Sequence, residues 1–174
     1  DEVSVFLGDI PSENYDRMGF TKGLIEYIDN ENAWLVGTDR GELFLFDNDG
    51  KQIWKRSLGI GKLVSMCVSH DEKIAFIGEQ SPSGNLYAID IAGGDILWKF
   101  AAANVVGAEP AKRSYPSIVH ICIDQNDNVY ANAYRFVTAK DGSRGYNGKA
   151  VAFNKNGDQL WQFPQNENID SWIN

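Results

Sequence analysis

Short apolar segments alternate with Gly-, Asn- and Asp-containing turns along the chain, and three of these segments end in a tryptophan. They cover residues 41–54, 84–98 and 148–161. Each has a glycine four residues before its tryptophan, in the pairs Gly50–Trp54, Gly94–Trp98 and Gly157–Trp161. Two short apolar runs joined by a turn of this kind predict a β-hairpin, in which the turn residues adopt positive φ.

A second hairpin precedes each of the three. Its strands and turns are predicted at residues 24–38, 63–79 and 118–134. Each repeat therefore has four strands, A to D. Four-stranded repeats with a period of roughly 40–50 residues are typical of β-propeller blades. A solenoid or a β-sandwich is the alternative.

The predicted fold is an all-β propeller of four-stranded antiparallel blades, with three complete blades and partial strands at both ends. The blades are placed at residues 23–59, 62–103 and 117–165, the outer strand of a preceding blade at 1–10, and the start of the next at 166–174. Propellers have about 4–8 blades, so three cannot close a ring. The chain is expected to belong to a longer polypeptide, to pair with a second copy, or to dock on another subunit; the first is favoured. Because it begins with Asp1, we also expect that an upstream segment has been removed.

Composition and charge narrow the classes of partner. A net charge of −8 and a pI near 4.7 argue against nucleic acid, which is bound mainly by clustered Lys and Arg. The chain lacks an apolar run of about 18 residues, so no membrane span is expected. Cys67 and Cys122 occupy equivalent places in neighbouring A strands and are predicted to be separate, buried thiols.

The D-x-x-G-x-x-x-W segment at residues 47–54, and its longer form at 90–98, resemble the repeat of PQQ-dependent alcohol dehydrogenases and of non-catalytic relatives of the BamB type. This resemblance implies that strand A lines a central channel, that strand D lies outside, and that the tryptophans pack between blades as structural residues. It also implies a periplasmic or extracellular location.

The resemblance does not imply an enzyme. Catalytic members are similar to one another in a vicinal Cys–Cys pair and in Ca²⁺ ligands near the quinone, and this chain has no adjacent cysteines. We therefore expect a non-catalytic binding or scaffolding propeller without a cofactor. The alternative is a segment of a PQQ- and Ca²⁺-dependent alcohol or sugar dehydrogenase whose ligands lie mostly elsewhere. Weak Ca²⁺ binding at acidic turns such as 47–50 is a further possibility, against the simpler function of satisfying turn geometry.

Two insertions interrupt the third repeat, at residues 101–116 and 135–147, and are expected to be neighbours on one face. They bring basic and aromatic side chains, the mixture found at interface anchors, to an otherwise acidic chain. The candidate binding residues in these loops are Lys112, Arg113, Tyr115, Arg135, Phe136, Lys140, Arg144 and Tyr146. The alternative is that both insertions are solvated and bind nothing.

His120 lies in strand A of the third repeat, in register with Ser65 and Ile25. His120 and Ser65 are therefore candidate channel-lining residues. The alternative for His120 is a hydrogen-bonded structural role, and no second His or Cys stands at zinc-ligand spacing.

Overall fold

Twelve β-strands, one short α-helix and one turn of 3-10 helix (Asp29–Glu31) are the regular elements of the described part of the chain. The computed structural model describes residues 24–108, 115–138, 142 and 144–165. The strands of the first half are β1 (Leu24–Ile28), β2 (Ala33–Gly37), β3 (Glu42–Asp47), β4 (Gln52–Ser57), β5 (Lys62–Val68), β6 (Ile74–Gln80), β7 (Asn85–Asp90) and β8 (Ile96–Ala101). After α1 (Ala103–Val106) follow β9 (Ser117–Ile123), β10 (Val129–Thr138), β11 (Arg144–Phe153) and β12 (Gln159–Phe163).

Within the described ranges the strands form three consecutive antiparallel meanders. Strands β1–β4 make one four-stranded sheet. Strands β5–β8 and β9–β12 make two further meanders, which a single pairing of Gln80 with Ser117 joins into an eight-stranded sheet. The predicted all-β class with four-stranded antiparallel units is confirmed. The four-residue α1 is an addition to the predicted all-β fold.

The turn between the third and fourth strand of each meander contains a glycine in the left-handed region. Gly50, Gly94 and Gly157 have φ values of 76°, 72° and 91°. In the first of these turns the Asp47 carboxylate accepts hydrogen bonds from the backbone N–H groups of Asp49 (3.0 Å) and Lys51 (2.8 Å). A short acidic side chain followed by glycine thus closes the hairpin without strain.

The hydrophobic core lies between the meanders. One cluster includes Leu35 and Leu45 from the first meander with Ile77 and Ile89 from the second. Another cluster joins apolar residues of β6 and β7 to those of β10 and β11. Because side chains alternate across a strand, each meander of this kind can present an apolar face to each of its neighbours.

Two tryptophans connect successive meanders by hydrogen bonding and packing. The Trp54 indole donates a hydrogen bond to Ile91 O (2.9 Å), and its ring covers Gly94, where an added Cβ would lie 3.0 Å from Trp54 Cδ2. In the same way the Trp98 indole donates to Lys155 O (2.9 Å) of the following meander. A glycine in the turn is required here because the tryptophan ring takes the space of a side chain.

Polar contacts also link the turns between the first and second strands. The backbone N–H of Asn30 donates to Glu72 Oε2 (2.7 Å), and His70 Nδ1 lies 2.7 Å from Asp127 Oδ1. His70 and Asp127 also form an ion pair when the imidazole is protonated. These bonds hold the three meanders in order along one face.

The two cysteines are free thiols, but the prediction that both are buried was wrong for Cys122. Cys67 is half-buried, and this desolvation raises its thiol pKa. Cys122 is exposed on β9. The difference arises because β5 contacts β1 of the first meander and β9 of the third, whereas β9 belongs to the last of the three described meanders.

Candidate functional site

The hairpin of β10 and β11 is the longest in the described structure. Both strands have ten residues, compared with seven in β6 and six in β7. Pairing continues without interruption to Thr138 opposite Arg144. The prediction of a long loop was therefore wrong for Arg135, Phe136, Arg144 and Tyr146, which lie in strands. Cross-strand aromatic and β-branched residues here extend the ladder beyond the ordinary blade length.

Three aromatic side chains cluster on this hairpin extension. Phe136 and Tyr146 are directly opposite each other, with ring centroids 4.4 Å apart, and Tyr134 lies 6.0 Å from Phe136 in an edge-on arrangement. Burial, followed by the nearby Tyr146, raises the pKa of Tyr134. All three rings are partly exposed, so the cluster presents apolar surface together with phenolic hydroxyl groups.

The base of the extension is tied to α1. Arg135 Nε and Asn147 Nδ2 both donate hydrogen bonds to Val106 O, the second at 3.0 Å. Gly107 follows with φ +78°, and an added Cβ there would lie 3.0 Å from Arg135 Nη2. The prediction that the two insertions are neighbours is confirmed for their described parts. Arg135 thus supports the hairpin in addition to presenting charge.

The other candidate binding residues add little to the description of this site. Tyr115 is half-buried just before β9. Lys112, Arg113 and Lys140 lie outside the described residues. For Arg144 the structure describes the backbone, which begins β11.

The two channel candidates have different environments. Ser65 is buried, and its hydroxyl donates to Ile118 O (2.6 Å) of the next meander, so it does not line an open channel. His120 is exposed. The pairing register equates these two residues with Leu24 rather than with Ile25, because Leu24 is opposite Gly37 as Ser65 is opposite Gly78 and His120 is opposite Asn132.

Acidic turn residues are used for local structure. The Asp124 carboxylate accepts bonds from the Asn128 side chain (2.9 Å) and from the backbone N–H groups of Asn126 and Asn128, and these lower its pKa to about 2. Across residues 24–108, 115–138, 142 and 144–165, no three His, Cys, Asp or Glu side chains converge as a metal site.

Sequence reasoning missed a buried polar network between the first two meanders. Glu79 is 1% exposed, and its carboxylate accepts bonds from Gly61 N (3.1 Å) and Asn85 Nδ2 (2.8 Å). The Tyr87 hydroxyl lies 3.0 Å from Glu79 Oε2 and 2.9 Å from Leu58 O. The network fixes the segment between β4 and β5. A glutamate directly after the apolar run 74–78 of β6 was its one signal in the sequence.

Lys149 is a second unexpected buried charge. It is 2% exposed, and its ammonium group donates to Pro164 O (3.0 Å) after β12.

Among the helices of the described ranges, none is long and apolar enough to cross a membrane.

Two solved structures with a similar fold are a β-propeller domain and a protein of unknown function. The β-propeller domain of Myceliophteria thermophila Cps50 (Swd1) matches with a TM-score of 0.57 and 14% identity, over 84% of this chain and 41% of that one. A protein of unknown function from Bacteroides caccae matches with a TM-score of 0.53 and 15% identity, over 79% of this chain and 47% of that one. The chain thus spans less than half of either structure. The search of curated proteins finds no match.

The sequence also matches a family model, described as outer membrane protein assembly factor BamB, over residues 30–171. This match includes all three tryptophan repeats and most of the described strands. The chain therefore belongs to the PQQ-like β-propeller family represented by the outer membrane protein assembly factor BamB.

Proposed function

We propose that this protein is a non-catalytic binding propeller whose extended β10–β11 hairpin contacts a protein partner. The observation that carries the proposal is the aromatic cluster of Tyr134, Phe136 and Tyr146, which stands on a hairpin longer than its equivalents and braced by α1. Partly exposed aromatic groups on a rigid support, beside an arginine, have the composition of interface hot spots. Rigid support also lowers the entropic cost of binding.

The family name supports a protein as partner, because the matching family is named as an assembly factor for outer membrane proteins. A periplasmic or extracellular location is part of the same proposal. Further repeats would complete the ring, whether they come from a longer chain or from a second copy. The dehydrogenase alternative gains no support from the contacts of the described residues.

Site-specific photocrosslinking tests the hairpin. A photoreactive amino acid replaces Phe136 in one variant and Leu97 in a matched control, since Leu97 is 52% exposed on β8, in a different meander. In an extract of the source organism, we expect a discrete protein adduct from position 136 and none from position 97. Equal adducts from both positions, or none from position 136, would refute the proposal.

Once the adduct is identified, Phe136→Ala and Tyr146→Ala should each weaken binding of that purified partner by about 30-fold, which corresponds to about 2 kcal/mol. Leu97→Ala should leave it unchanged. For the alternative function, PQQ and Ca²⁺ are added to the chain. Quinone absorbance that remains after gel filtration, with dye-linked alcohol oxidation, would favour a dehydrogenase instead.

A further inference from the structure

Two Asn–Gly steps occur in the chain, and they lie in different backbone settings. Asn147–Gly148 lies within β11, which is paired with β10. Asn156–Gly157 lies in the turn between β11 and β12, where the asparagine is exposed. An asparagine followed by glycine is prone to deamidation, because glycine has no Cβ to obstruct the approach of its backbone nitrogen to the asparagine side chain. The two steps therefore differ in how readily that approach can occur.

Asn147 is restrained in two ways. Its side-chain amide donates a hydrogen bond to Val106 O (3.0 Å). Its backbone belongs to the antiparallel ladder, where it is opposite Arg135 of β10. Paired strands open at a free-energy cost that approaches that of global unfolding, whereas surface turns open at a much lower cost. Deamidation of Asn147 therefore requires both the side-chain hydrogen bond and the ladder to open.

Asn156 stands on a short turn that is closed by two backbone donors. The Gly157 N–H donates to Asn154 O (3.0 Å), and the Asn156 N–H donates to Asn154 Oδ1 (3.0 Å). Neither bond involves the side-chain amide of Asn156. Once the Gly157 bond opens, that backbone nitrogen needs only a rotation within Asn156 to reach the carbonyl carbon Cγ of the amide.

The equivalent turns of the other two meanders have different residues before their glycine. These are Asp49 before Gly50 and Gly93 before Gly94. Gly93 has no side chain that could close a ring. The ionised carboxylate of Asp49 is a poor electrophile, because its negative charge repels a nucleophile and neither oxygen leaves easily. Of these three turns, the third therefore has the reactive combination of an amide and a following glycine.

The same turn receives Trp98 of the second meander. The Trp98 indole donates to Lys155 O (2.9 Å), and an added Cβ on Gly157 would lie 2.7 Å from Trp98 Cγ. The ring thus packs directly on the residue whose nitrogen would attack. Because this hydrogen bond is exposed and Trp98 is only partly buried, the contact restrains opening of the turn without preventing it. The reactivity of Asn156 and the contact between the two meanders are therefore coupled.

We propose that Asn156 is a site of spontaneous deamidation to isoaspartate, and that this modification releases Trp98 from the third meander. Gly157 N gives its proton to hydroxide and attacks Asn156 Cγ. The new C–N bond replaces the Cγ–Nδ2 bond, and the amide nitrogen takes a proton from water and leaves as ammonia. Water then opens the succinimide ring to aspartate or isoaspartate, without an oxidant or a cofactor. Isoaspartate adds one atom to the backbone of the turn and a negative charge beside Gly157.

Peptide mapping by mass spectrometry, after incubation of the folded chain in mildly alkaline buffer, tests the site. Deamidation adds about 1 Da, and isoaspartate is identified by methyl transfer from S-adenosylmethionine with a purified isoaspartyl methyltransferase. Conversion at Asn156 should be at least about tenfold faster than at Asn147, the factor that corresponds to one additional hydrogen bond. Asn156→Gln, which would need a larger ring, should abolish methylation of this peptide. Equal rates at the two asparagines, or no conversion at Asn156, would overturn the proposal.

Trp98→Ala tests the coupling to the meander contact. Without the ring and its hydrogen bond the turn opens more often, so deamidation of Asn156 should accelerate about tenfold. Leu97→Ala is the matched control, since Leu97 is the preceding residue of β8 and is 52% exposed, and it should leave the rate unchanged. Conversion at Asn147 in the same digest should also stay unchanged, because the ladder remains closed. A wild-type rate at Asn156, or equal acceleration at both asparagines, would refute the coupling.

The modified protein tests the effect in the opposite direction. Its additional negative charge allows anion exchange to separate it from the unmodified chain. The isoaspartate form should unfold at a lower urea concentration, and Trp98→Ala should lower its midpoint no further, since the contact is already lost. Asn156→Asp has the charge without the additional backbone atom and should keep the wild-type midpoint. An isoaspartate form with the wild-type midpoint would show that the Trp98 contact survives and would contradict its release.

Discussion

Replacing Trp54 by Phe tests how much the contact between successive meanders contributes to stability. The change removes the indole N–H that donates to Ile91 O (2.9 Å) in a buried environment. A buried carbonyl left without its donor costs about 1–3 kcal/mol. Loss of part of the ring from the cluster that contains Leu45 and Ile89 adds about 1 kcal/mol, at about 0.8 kcal/mol for each buried methylene equivalent. We expect the free energy of unfolding to fall by about 2–4 kcal/mol.

Trp98→Phe is the matched comparison. The Trp98 indole makes a bond of the same length to Lys155 O, but this bond is exposed, so water can replace the lost donor. The expected loss is about 0.5–1.5 kcal/mol. Trp161→Phe lacks such a bond within the described ranges and should stay within about 0.5 kcal/mol at low protein concentration.

Urea unfolding followed by circular dichroism measures all three variants. The midpoint should decrease in the order wild type, Trp161→Phe, Trp98→Phe, Trp54→Phe, with a constant m-value. For a domain of this size each kcal/mol also lowers Tm by about 2–4 °C. Equal losses for Trp54→Phe and Trp98→Phe would refute the argument, because they would show that burial of the hydrogen bond does not determine its contribution.

Three further results are expected. Burial and Glu79 raise the pKa of Tyr87 above its usual 10.0, so its contribution to stability is complete below that pH and is lost as pH rises further; alkaline unfolding titrations of Tyr87→Phe should lack this part of the decline. Hydrogen bonds lower the pKa of Asp124 from 3.8 to about 2, so its contribution is present above pH 3.8 and is lost toward pH 2; an unchanged acid limb in Asp124→Asn would contradict this. Arg135→Ala should accelerate exchange of the Gly107 amide, which bonds to Ala103 O at the end of α1, by about tenfold, measured by mass spectrometry, because Val106 O loses a charged donor.

The hairpins could be predicted from the sequence because their signals are local. A glycine at positive φ after Asp47, Asp90 or Asn154 determines where the chain reverses, and the apolar runs on either side are the strands. The constant spacing between glycine and tryptophan identified the same hairpin, that of the third and fourth strands, in each repeat. Such information lies within about ten residues, so one sequence was sufficient.

The surface proposed for binding was harder to predict from the sequence. Residues 135–147 contain glycines that resemble a loop, but the cross-strand pair of Phe136 and Tyr146 continues the ladder through them. The bond from Arg135 to Val106 joins residues far apart in sequence, and no local pattern encodes it. Burial of Ser65 likewise depends on the next meander, which provides Ile118 O.

The contacts of Trp54 and Trp98 also limit where segments of related chains can be joined in a chimera. Trp54 requires Gly94, and Trp98 requires Gly157, so each obligatory pair spans two repeats rather than one. A crossover placed between β4 and β5 would separate a tryptophan from its own glycine. A crossover between a turn glycine and the tryptophan that follows it, as between Gly94 and Trp98, keeps both pairs intact, because Trp54 stays with Gly94 and Trp98 stays with Gly157. In chimeras of this family, the exchangeable unit should therefore begin and end inside a hairpin rather than at a repeat boundary.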